Sequence, residues 1–274
     1  MSPVRQRAAL ALLLLLFCLP SSILAASPPQ RVVSLNLCTD QLLLMLLPRE
    51  RIAMLSQLAA DPALSWEAAK ADDIARFDGS VEAIIGLSPD LILAGTQASR
   101  ETNLVLQRLG FPVQVLEMPE TVAGSLAFIE RVAGLIGEPA AGRVLAERTR
   151  QRLEAVRITS RAHPPGLALI YLPNGLSPGA NTLRDELLTI AGWRNLTRER
   201  DITGYASIAL EDLLLNRPQI VFLDTADLEH TSMSQQLLHH PALREHIATR
   251  AIPTSTWMCA GPQIADAAEL LSKR

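Results

Sequence analysis

The sequence predicts an α/β protein whose chain repeats one organisation in two halves. Apolar runs such as residues 91–95 lack the alternation of a half-exposed strand, which is typical of parallel strands covered on both faces. Helical segments separate these runs in βαβα order, as expected for an α/β fold. One long helical stretch stands between the two halves. These observations predict two α/β units with a helix between them.

The first half alternates strands and helices whose ends carry recognisable signals. Ser80 is a suitable N-cap, Pro89 follows the end of that helix, and Gly110 stops the next one. The polar stretch 57–78 predicts loops. The predicted strands are 31–35, 51–55, 91–95 and 113–116, and the predicted helices are 41–47, 81–87 and 102–109.

The middle of the chain is helical from 121 to 157, with an interruption at 137–139. The second piece is amphipathic. Its apolar stripe consists of Leu145, Thr149, Leu153 and Val156. After residue 166 the α/β pattern restarts. The predicted strands are 167–172, 219–223 and 251–256, and the predicted helices are 183–191, 210–215, 234–239, 242–248 and 264–271.

The two halves share a local pattern. Glu82 stands seven residues before Pro89, and Glu211 stands seven residues before Pro218, and each proline leads into an apolar run. Ordinary helix–loop–strand sequence preferences explain this, since acids favour helix starts and proline favours helix ends. Two equivalent lobes explain it equally well.

The N-terminus has the order of a secretory signal peptide. Arg5 and Arg7 precede an apolar run at 8–19, and the small residues Ala25 and Ala26 follow. The run has about 12 residues, whereas a membrane span needs roughly 20. We therefore expect residues 1–26 to be cleaved and a soluble protein to be exported to the periplasm. The formal net charge of −3 provides no basic surface for nucleic acid.

Several segments, taken in order, resemble the periplasmic substrate-binding proteins (class III) of ABC importers for iron complexes and cobalamin. Residues 81–94 carry the most specific match, VEAIIGLSPDLILA, a glutamate-bearing helix that leads into Pro-Asp-Leu and a strand. The resemblance extends from about residue 31 to the C-terminus. The other matching segments are 31–36 (RVVSLN), 109–113 (LGFPV), 192–196 (GWRNL), 211–222 (EDLLLNRPQIVF) and Trp257.

The resemblance implies two Rossmann-like lobes with parallel sheets, joined by one long linking helix. The lobes would be residues 27–138 and 163–274, and the linking helix residues 139–162. The implied function is capture of a metal chelate between the lobes and its delivery to an inner-membrane permease and its ATPase. The protein would act as a monomer, without catalysis and without a cofactor of its own. Glu82 and Glu211, one on each lobe, would dock to arginines of the permease.

A ligand should contact the loops at the carboxyl ends of the strands. Trp257 and Tyr205 are the strongest candidates, because a flat aromatic ring suits the face of a chelate; the alternative for each is a packed core aromatic. Arg76 suits a ligand carboxylate or is simply a solvated surface residue, and Phe77 is a cleft wall or a core residue. The complete predicted set is Asn36, Cys38, Arg76, Phe77, Gln97, Asn174, Tyr205, Trp257 and Cys259.

Cys38 and Cys259 fall in predicted cleft loops of different lobes, and three interpretations remain open. They are buried structural thiols, or they form a bridge across the cleft, or they are soft ligands for a metal or haem iron. The histidines add little: His239 and His240 fit a helix end, and His230 fits a surface loop.

The exact chelate is open among ferric siderophore, cobalamin and haem. The stretch 56–77 departs from the cobalamin binders at their loop aromatics, which favours a ferric siderophore or another chelate. One alternative is a manganese- or zinc-binding protein, but every histidine lies at His163 or beyond, outside the first lobe. A periplasmic hydrolase is a weaker alternative, since no GxSxG elbow occurs and only Cys38 with a distant histidine would offer a nucleophile pair.

Overall fold

The computed structural model describes residues 27–96, 100–225 and 240–274. Two four-stranded sheets occupy the two halves of the chain, and a helix from Pro139 to Ser160 stands between them. The predicted two-lobed α/β fold is confirmed. No helix in these three ranges has the length and apolar character needed to cross a membrane.

The first lobe is a parallel sheet with short helices. Its elements are β1 (Val32–Ser34), α1 (Leu37–Leu46), β2 (Ile52–Met54), α2 (Val81–Leu87), β3 (Leu91–Gly95), α3 (Arg100–Arg108), β4 (Val113–Leu116) and α4 (Val122–Leu135). The strands lie in the order β2-β1-β3-β4, and every pair is parallel. The predicted loop stretch after β2 contains short 3₁₀ turns at Gln57–Ala60 and Ala68–Lys70 and an isolated parallel bridge between Arg76 and Leu55.

Alternate residues of β3 feed two separate cores, one on each face of the sheet. Leu91 and Leu93 join the cluster formed with α1 and α4, whereas Ile92 and Ala94 join the cluster formed with α2 and α3. All five residues of β3 are buried. Because both faces are covered, the strand has no polar side and appears in the sequence as an unbroken apolar run.

The linking helix, α5 (Pro139–Ser160), belongs to the cores of both lobes. Pro139 occupies its first turn, where the missing N–H costs nothing. Ala146 packs in a core of the first lobe, and Leu153 and Val156 pack in a core of the second lobe. The predicted stripe is confirmed, with Thr149 also buried. The helix is therefore a shared packing element rather than a solvated linker.

The second lobe repeats the topology of the first. Its elements are β5 (Gly166–Tyr171), β6 (Leu176–Pro178), α6 (Leu183–Ile190), β7 (Trp193–Asn195), α7 (Leu196–Glu199), β8 (Tyr205–Ser207), α8 (Leu210–Asn216), β9 (Ile220–Asp224), α9 (Pro241–His246), β10 (Thr249–Ile252) and α10 (Ile264–Ser272). The main sheet has the order β7-β5-β9-β10 and is parallel. In each four-stranded sheet, the strand that comes first in the chain lies between the two that come next: β1 lies between β2 and β3, and β5 lies between β7 and β9.

The repeated glutamate–proline pattern marks equivalent positions in the two lobes. Helices α2 and α8 each have seven residues and lead into the central strands β3 and β9. Each helix ends at a left-handed residue, Ser88 (φ 46°) or Arg217 (φ 45°), directly before the proline. A shared turn at the same place in the same topology favours equivalent lobes over ordinary sequence preference.

Some sequence predictions for the second lobe were incomplete or wrong. The antiparallel pair β6–β8 was not predicted, because each strand is only three residues long. The strand predicted at 251–256 ends at Ile252, since Pro253 has no N–H for the ladder, and a 3₁₀ turn follows at Thr254–Thr256. The helix predicted at 234–239 lies outside the described residues.

Helices α4 and α5 approach each other closely at Gly142. A Cβ atom added there would lie 2.2 Å from the Cβ of Ala133. At Gly134, on the exposed side of α4, the same added atom would have no neighbour within 4 Å. The close contact therefore depends on the missing side chain at Gly142.

We expect Gly142→Ala to lower the free energy of unfolding by about 1–3 kcal/mol, because the added methyl group must displace one helix. The matched control Gly134→Ala should leave stability unchanged or raise it by up to about 1 kcal/mol, because alanine favours the helix. Urea denaturation followed by circular dichroism measures both. Equal effects from the two variants would contradict the close-contact assignment.

Candidate functional site

A cavity of about 210 Å³ lies between the two lobes. First-lobe residues reach it from the carboxyl ends of β1 and β4, and second-lobe residues reach it from the start of α6, from β8 and from the loop after β10. This is the edge at which open α/β sheets bind ligands. The lining residues are Cys38, Met118, Pro119, Glu120, Thr182, Leu183, Arg184, Tyr205, Trp257, Met258 and Ala260.

A disulfide between Cys38 and Cys259 crosses from one lobe to the other. The two Cα atoms lie 5.1 Å apart, and 221 residues of sequence separate them. Of the three interpretations of these cysteines, the structure has the bridge. Neither sulfur is therefore present as a thiolate that could ligate a metal or haem iron.

Trp257 is held in the wall of the cavity by a buried acid. Its indole Nε1 donates to Asp224 Oδ2 at 3.1 Å, and Thr254 Oγ1 donates to Asp224 Oδ1. The guanidinium of Arg184 lies 4.9 Å from the centre of the Trp257 ring and 3.3 Å from Asp224 Oδ2. Trp257 is only 3% exposed. Its buried ring therefore packs beneath the guanidinium of Arg184 and supports that group at the cavity surface.

Two exposed side chains and one half-buried methionine add apolar and polar surface to the cavity. Tyr205, on β8, is 48% exposed, and Met258 is 43% exposed. Met118 contributes a second thioether from the first lobe. Methionine adapts its shape to an irregular partner, and tyrosine offers an apolar ring with a hydroxyl. These walls suit a ligand with a broad apolar face and polar edges.

Five predicted ligand contacts do not line this cavity, and one of them, Cys259, is the buried partner of Cys38 in the disulfide. Asn36 caps α1 by accepting hydrogen bonds from the backbone N–H groups of Cys38 (2.9 Å) and Thr39 (3.4 Å). Phe77 packs against the first-lobe core. The other two, Arg76 and Asn174, are exposed. Gln97 lies outside the described residues. A contact between any of these residues and a ligand remains a prediction.

Arg184, Met118 and Glu120 were missed by sequence reasoning, whereas Met258 stands in the loop with Trp257 and Cys259 that was predicted to face the cleft. A partial signal existed for Arg184, because it stands in the first turn of a helix that Thr182 caps by accepting from the N–H of Asp185. A helix start after a strand was predicted there, but nothing in the sequence indicates that this turn faces the opposite lobe.

Asp40 is a fully buried acid on α1, the helix that also carries Cys38. It accepts hydrogen bonds from the backbone N–H of Ser56 at 3.2 Å and from the Ser56 hydroxyl. Burial raises the pKa of Asp40 to about 7, although hydrogen bonds from Ser34 and Ser56 act in the opposite direction. This acid fixes the loop after β2 to the helix that carries Cys38.

Glu82 and Glu211 are exposed at the first turns of α2 and α8. Glu82 accepts a hydrogen bond from the hydroxyl of Ser80 at 3.1 Å. Neither carboxylate forms a salt bridge with another of the described residues. Two equivalent acids, one on each lobe, are thus available to a partner.

No cluster suited to a bare metal ion occurs in the described part of the chain, where no three His, Cys, Asp or Glu side chains come together for that purpose. His230 and His239 lie outside that part. The cavity lining instead carries aromatic, thioether and guanidinium groups.

Comparison with known proteins places the chain among binding proteins. A family model described as periplasmic binding protein matches residues 32–251. The cobalamin-binding protein of Halobacterium salinarum (strain ATCC 29341 / DSM 671 / R1) is 26% identical over 200 residues, which cover 71% of this chain and 54% of that protein. The match thus spans about half the length of that relative.

A second relative matches over nearly its whole length. The vitamin B12-binding protein of Yersinia pseudotuberculosis serotype O:1b (strain IP 31758) is 25% identical over 256 residues, or 90% of this chain and 88% of that protein. Among solved structures, the periplasmic haem-binding protein from Roseiflexus sp. RS-1 in apo form has a TM-score of 0.72 at 21% identity. That match covers 89% of this chain and 98% of the other, and it shows a shared fold.

The buried carboxyl of Asp40 predicts a pH dependence of stability. Its folded-state pKa of about 7 exceeds the unfolded value of 3.8, so the folded chain holds this proton more tightly. The resulting stability should be complete below about pH 4 and should decrease as the pH rises to about 7, by a total on the order of 4 kcal/mol. Urea denaturation from pH 4 to pH 8 measures the slope.

We expect Asp40→Asn to abolish most of that slope, because an amide does not titrate in this range. The exposed Asp72 of the same lobe provides the control, and Asp72→Asn should retain the slope. A slope that persists in Asp40→Asn would assign the pH dependence to other groups.

Proposed function

The chain belongs to the periplasmic binding protein family, and we propose on that basis that it is the solute-binding component of an ABC importer. It captures a metal chelate between its two lobes and delivers it to an inner-membrane permease. The observation that carries this proposal is the cavity whose walls come from both lobes, at the carboxyl ends of the parallel strands. The role is binding and release, without catalysis.

We propose cobalamin, haem or a ferric siderophore as the ligand class. The names of the relatives support the first two, since they are described as binding cobalamin, vitamin B12 or haem. The exposed surfaces of Tyr205, Met118 and Met258 suit the broad face of a corrin or porphyrin. The metal arrives with the ligand, so the protein needs none of its own.

In this proposal Arg184 is the polar anchor of the site, in place of Arg76. Arg184 lines the cavity and is oriented by Asp224 and the Trp257 ring. A guanidinium held in one orientation loses little entropy when it binds a carboxylate or phosphate. Haem propionates, the phosphate of cobalamin and siderophore carboxylates all supply such a group.

Export and docking complete the proposed role. Residues 1–26 act as the cleavable signal that takes the chain to the periplasm. Glu82 and Glu211 contact arginines of the permease, one from each lobe. Because the two acids occupy equivalent positions in the two lobes, a partner with two equal subunits can bind both in the same way.

Calorimetric titration of residues 27–274 with cyanocobalamin, haemin and a panel of ferric siderophores tests the ligand class. We expect one of them to bind saturably, and Arg184→Ala to weaken that binding by roughly 10- to 150-fold, the value of a hydrogen bond to a charged group. Arg76→Ala is the matched control and should change affinity less than about twofold.

The conservative variant Arg184→Lys guards against a fold defect, because it retains a cation beside Asp224. It should bind with intermediate affinity and unfold like the wild type. Loss of binding in Arg76→Ala but not in Arg184→Ala would place the ligand elsewhere. Failure of every tested chelate to bind would refute the proposed ligand class.

The docking proposal predicts a separation of transport from binding. Glu82→Ala/Glu211→Ala should leave ligand affinity unchanged and reduce uptake through the cognate permease by roughly tenfold, because both orienting contacts are lost. Uptake by cells that carry the importer, together with calorimetry, measures the two effects. The control Glu101→Ala/Glu245→Ala removes one exposed helical acid from each lobe and should transport normally. Weakened ligand binding in the first variant would contradict docking.

A further inference from the structure

The Cys38–Cys259 disulfide is a second connection between the lobes, separate from α5. Cys38 stands at the start of α1 in the first lobe, and Cys259 stands in the loop after β10 of the second lobe. A disulfide keeps its two Cα atoms within about 4.4–6.8 Å. The lobes therefore cannot separate at this point while the bond is intact, although they can still rotate about a line through the bond and the helix.

The disulfide is part of the cavity wall and not a remote staple. Cys38 lines the cavity beside Trp257 and Met258. Cys259, in contrast, is only 1% exposed. Cys38 is therefore the more accessible of the two residues, and its side chain can be reached from the cavity.

The surroundings of Cys259 favour its role as the leaving sulfur in thiol exchange. Gln41 of the first lobe donates from Nε2 to Cys259 Sγ at 3.5 Å. Gln263 of the second lobe donates from Nε2 to the backbone oxygen of Cys259 at 3.2 Å. The first of these contacts would stabilise a thiolate on Cys259, and it also joins the two lobes.

We propose that this disulfide is a redox-sensitive latch of the ligand cavity: the oxidised bond holds the lobes at the spacing that ligand binding requires, and reduction releases them and lowers ligand affinity. The ligand part of this inference rests on the proposed binding function. The restriction of lobe spacing does not.

The reducing step needs a dithiol, and its atoms balance. A thiolate of the dithiol attacks the Cys38 sulfur from the cavity, which forms a mixed disulfide and releases Cys259 as a thiolate. The second thiol of the reagent then displaces Cys38. The reagent becomes a disulfide, two electrons pass to the protein, and both cysteines end as thiols with the two protons of the reagent.

Thermodynamic linkage requires that the effect of reduction on ligand affinity equal the effect of ligand on the reduction equilibrium. If reduction weakens ligand binding by a given factor, bound ligand must shift the reduction equilibrium by the same factor. The usual range for such coupling is about 5- to 150-fold. A disulfide that only stabilises the fold has no reason to respond to ligand in this way.

The test uses residues 27–274 in dithiothreitol redox buffers, with cyanocobalamin and haemin as probes. Affinity is measured for the oxidised protein, the reduced protein and Cys38→Ser/Cys259→Ser, with circular dichroism as the check of folding. We expect the reduced protein and the double serine variant to bind roughly 5- to 150-fold more weakly than the oxidised protein. Saturating ligand should raise, by the same factor, the ratio of reduced to oxidised dithiothreitol at which half of the protein is reduced. Reoxidation should restore the affinity.

Small-angle scattering without ligand tests the lobe spacing independently. Reduction, and the double serine variant, should increase the radius of gyration. An unchanged radius of gyration overturns the latch, whatever the ligand assays give. An affinity that changes less than twofold on reduction also overturns it. So does loss of the circular dichroism signal on reduction, because the protein has then unfolded. If neither probe binds but the radius increases, the proposed ligand class fails and the restriction on lobe spacing stands.

Discussion

The packing of α5 into both lobes is the constraint on which the rest of the structure depends. Its N-terminal half contributes Ala146 to a core of the first lobe, and its C-terminal half contributes Leu153 and Val156 to a core of the second. A rigid helix shared in this way leaves little freedom at the junction, unlike a flexible linker. It fixes where the two lobes join, and hence the side of the molecule on which the cavity between them lies.

The carboxyl ends of the two sheets meet at that cavity, and buried polar contacts hold its walls. Asp224 ends the central strand of the second lobe and orients both Trp257 and Arg184. Asp40 has the corresponding task in the first lobe, where it fixes the loop at Ser56 to the helix that begins beside Cys38. Each acid is buried and hydrogen-bonded, so the side chains that face a ligand are positioned before it arrives.

The disulfide and the helix constrain the same motion from different places. The helix joins the lobes through packing, whereas the Cys38–Cys259 bond joins them through a covalent link in the cavity wall. In a protein whose role is to capture and then release, two connections favour a preformed cleft over a wide hinge movement. In the proposed docking role, the equivalent acids Glu82 and Glu211 would then present a nearly constant spacing to the permease.

The sequence by itself determined the fold class, the repeated lobes and the linking helix, because apolar runs, helix caps and the stripe on α5 are local patterns. Among the ligand contacts predicted from the sequence, Cys38, Tyr205 and Trp257 do line the cavity. Only the tertiary structure decided that the cysteines are bonded and that Arg184 faces the cavity. It also decided which predicted contacts do not line the cavity: Asn36, Arg76, Phe77, Asn174 and Cys259. These outcomes depend on contacts between residues far apart in the chain, such as Cys38 with Cys259 and Arg184 with Asp224. A local sequence pattern contains no information about which distant residues will meet.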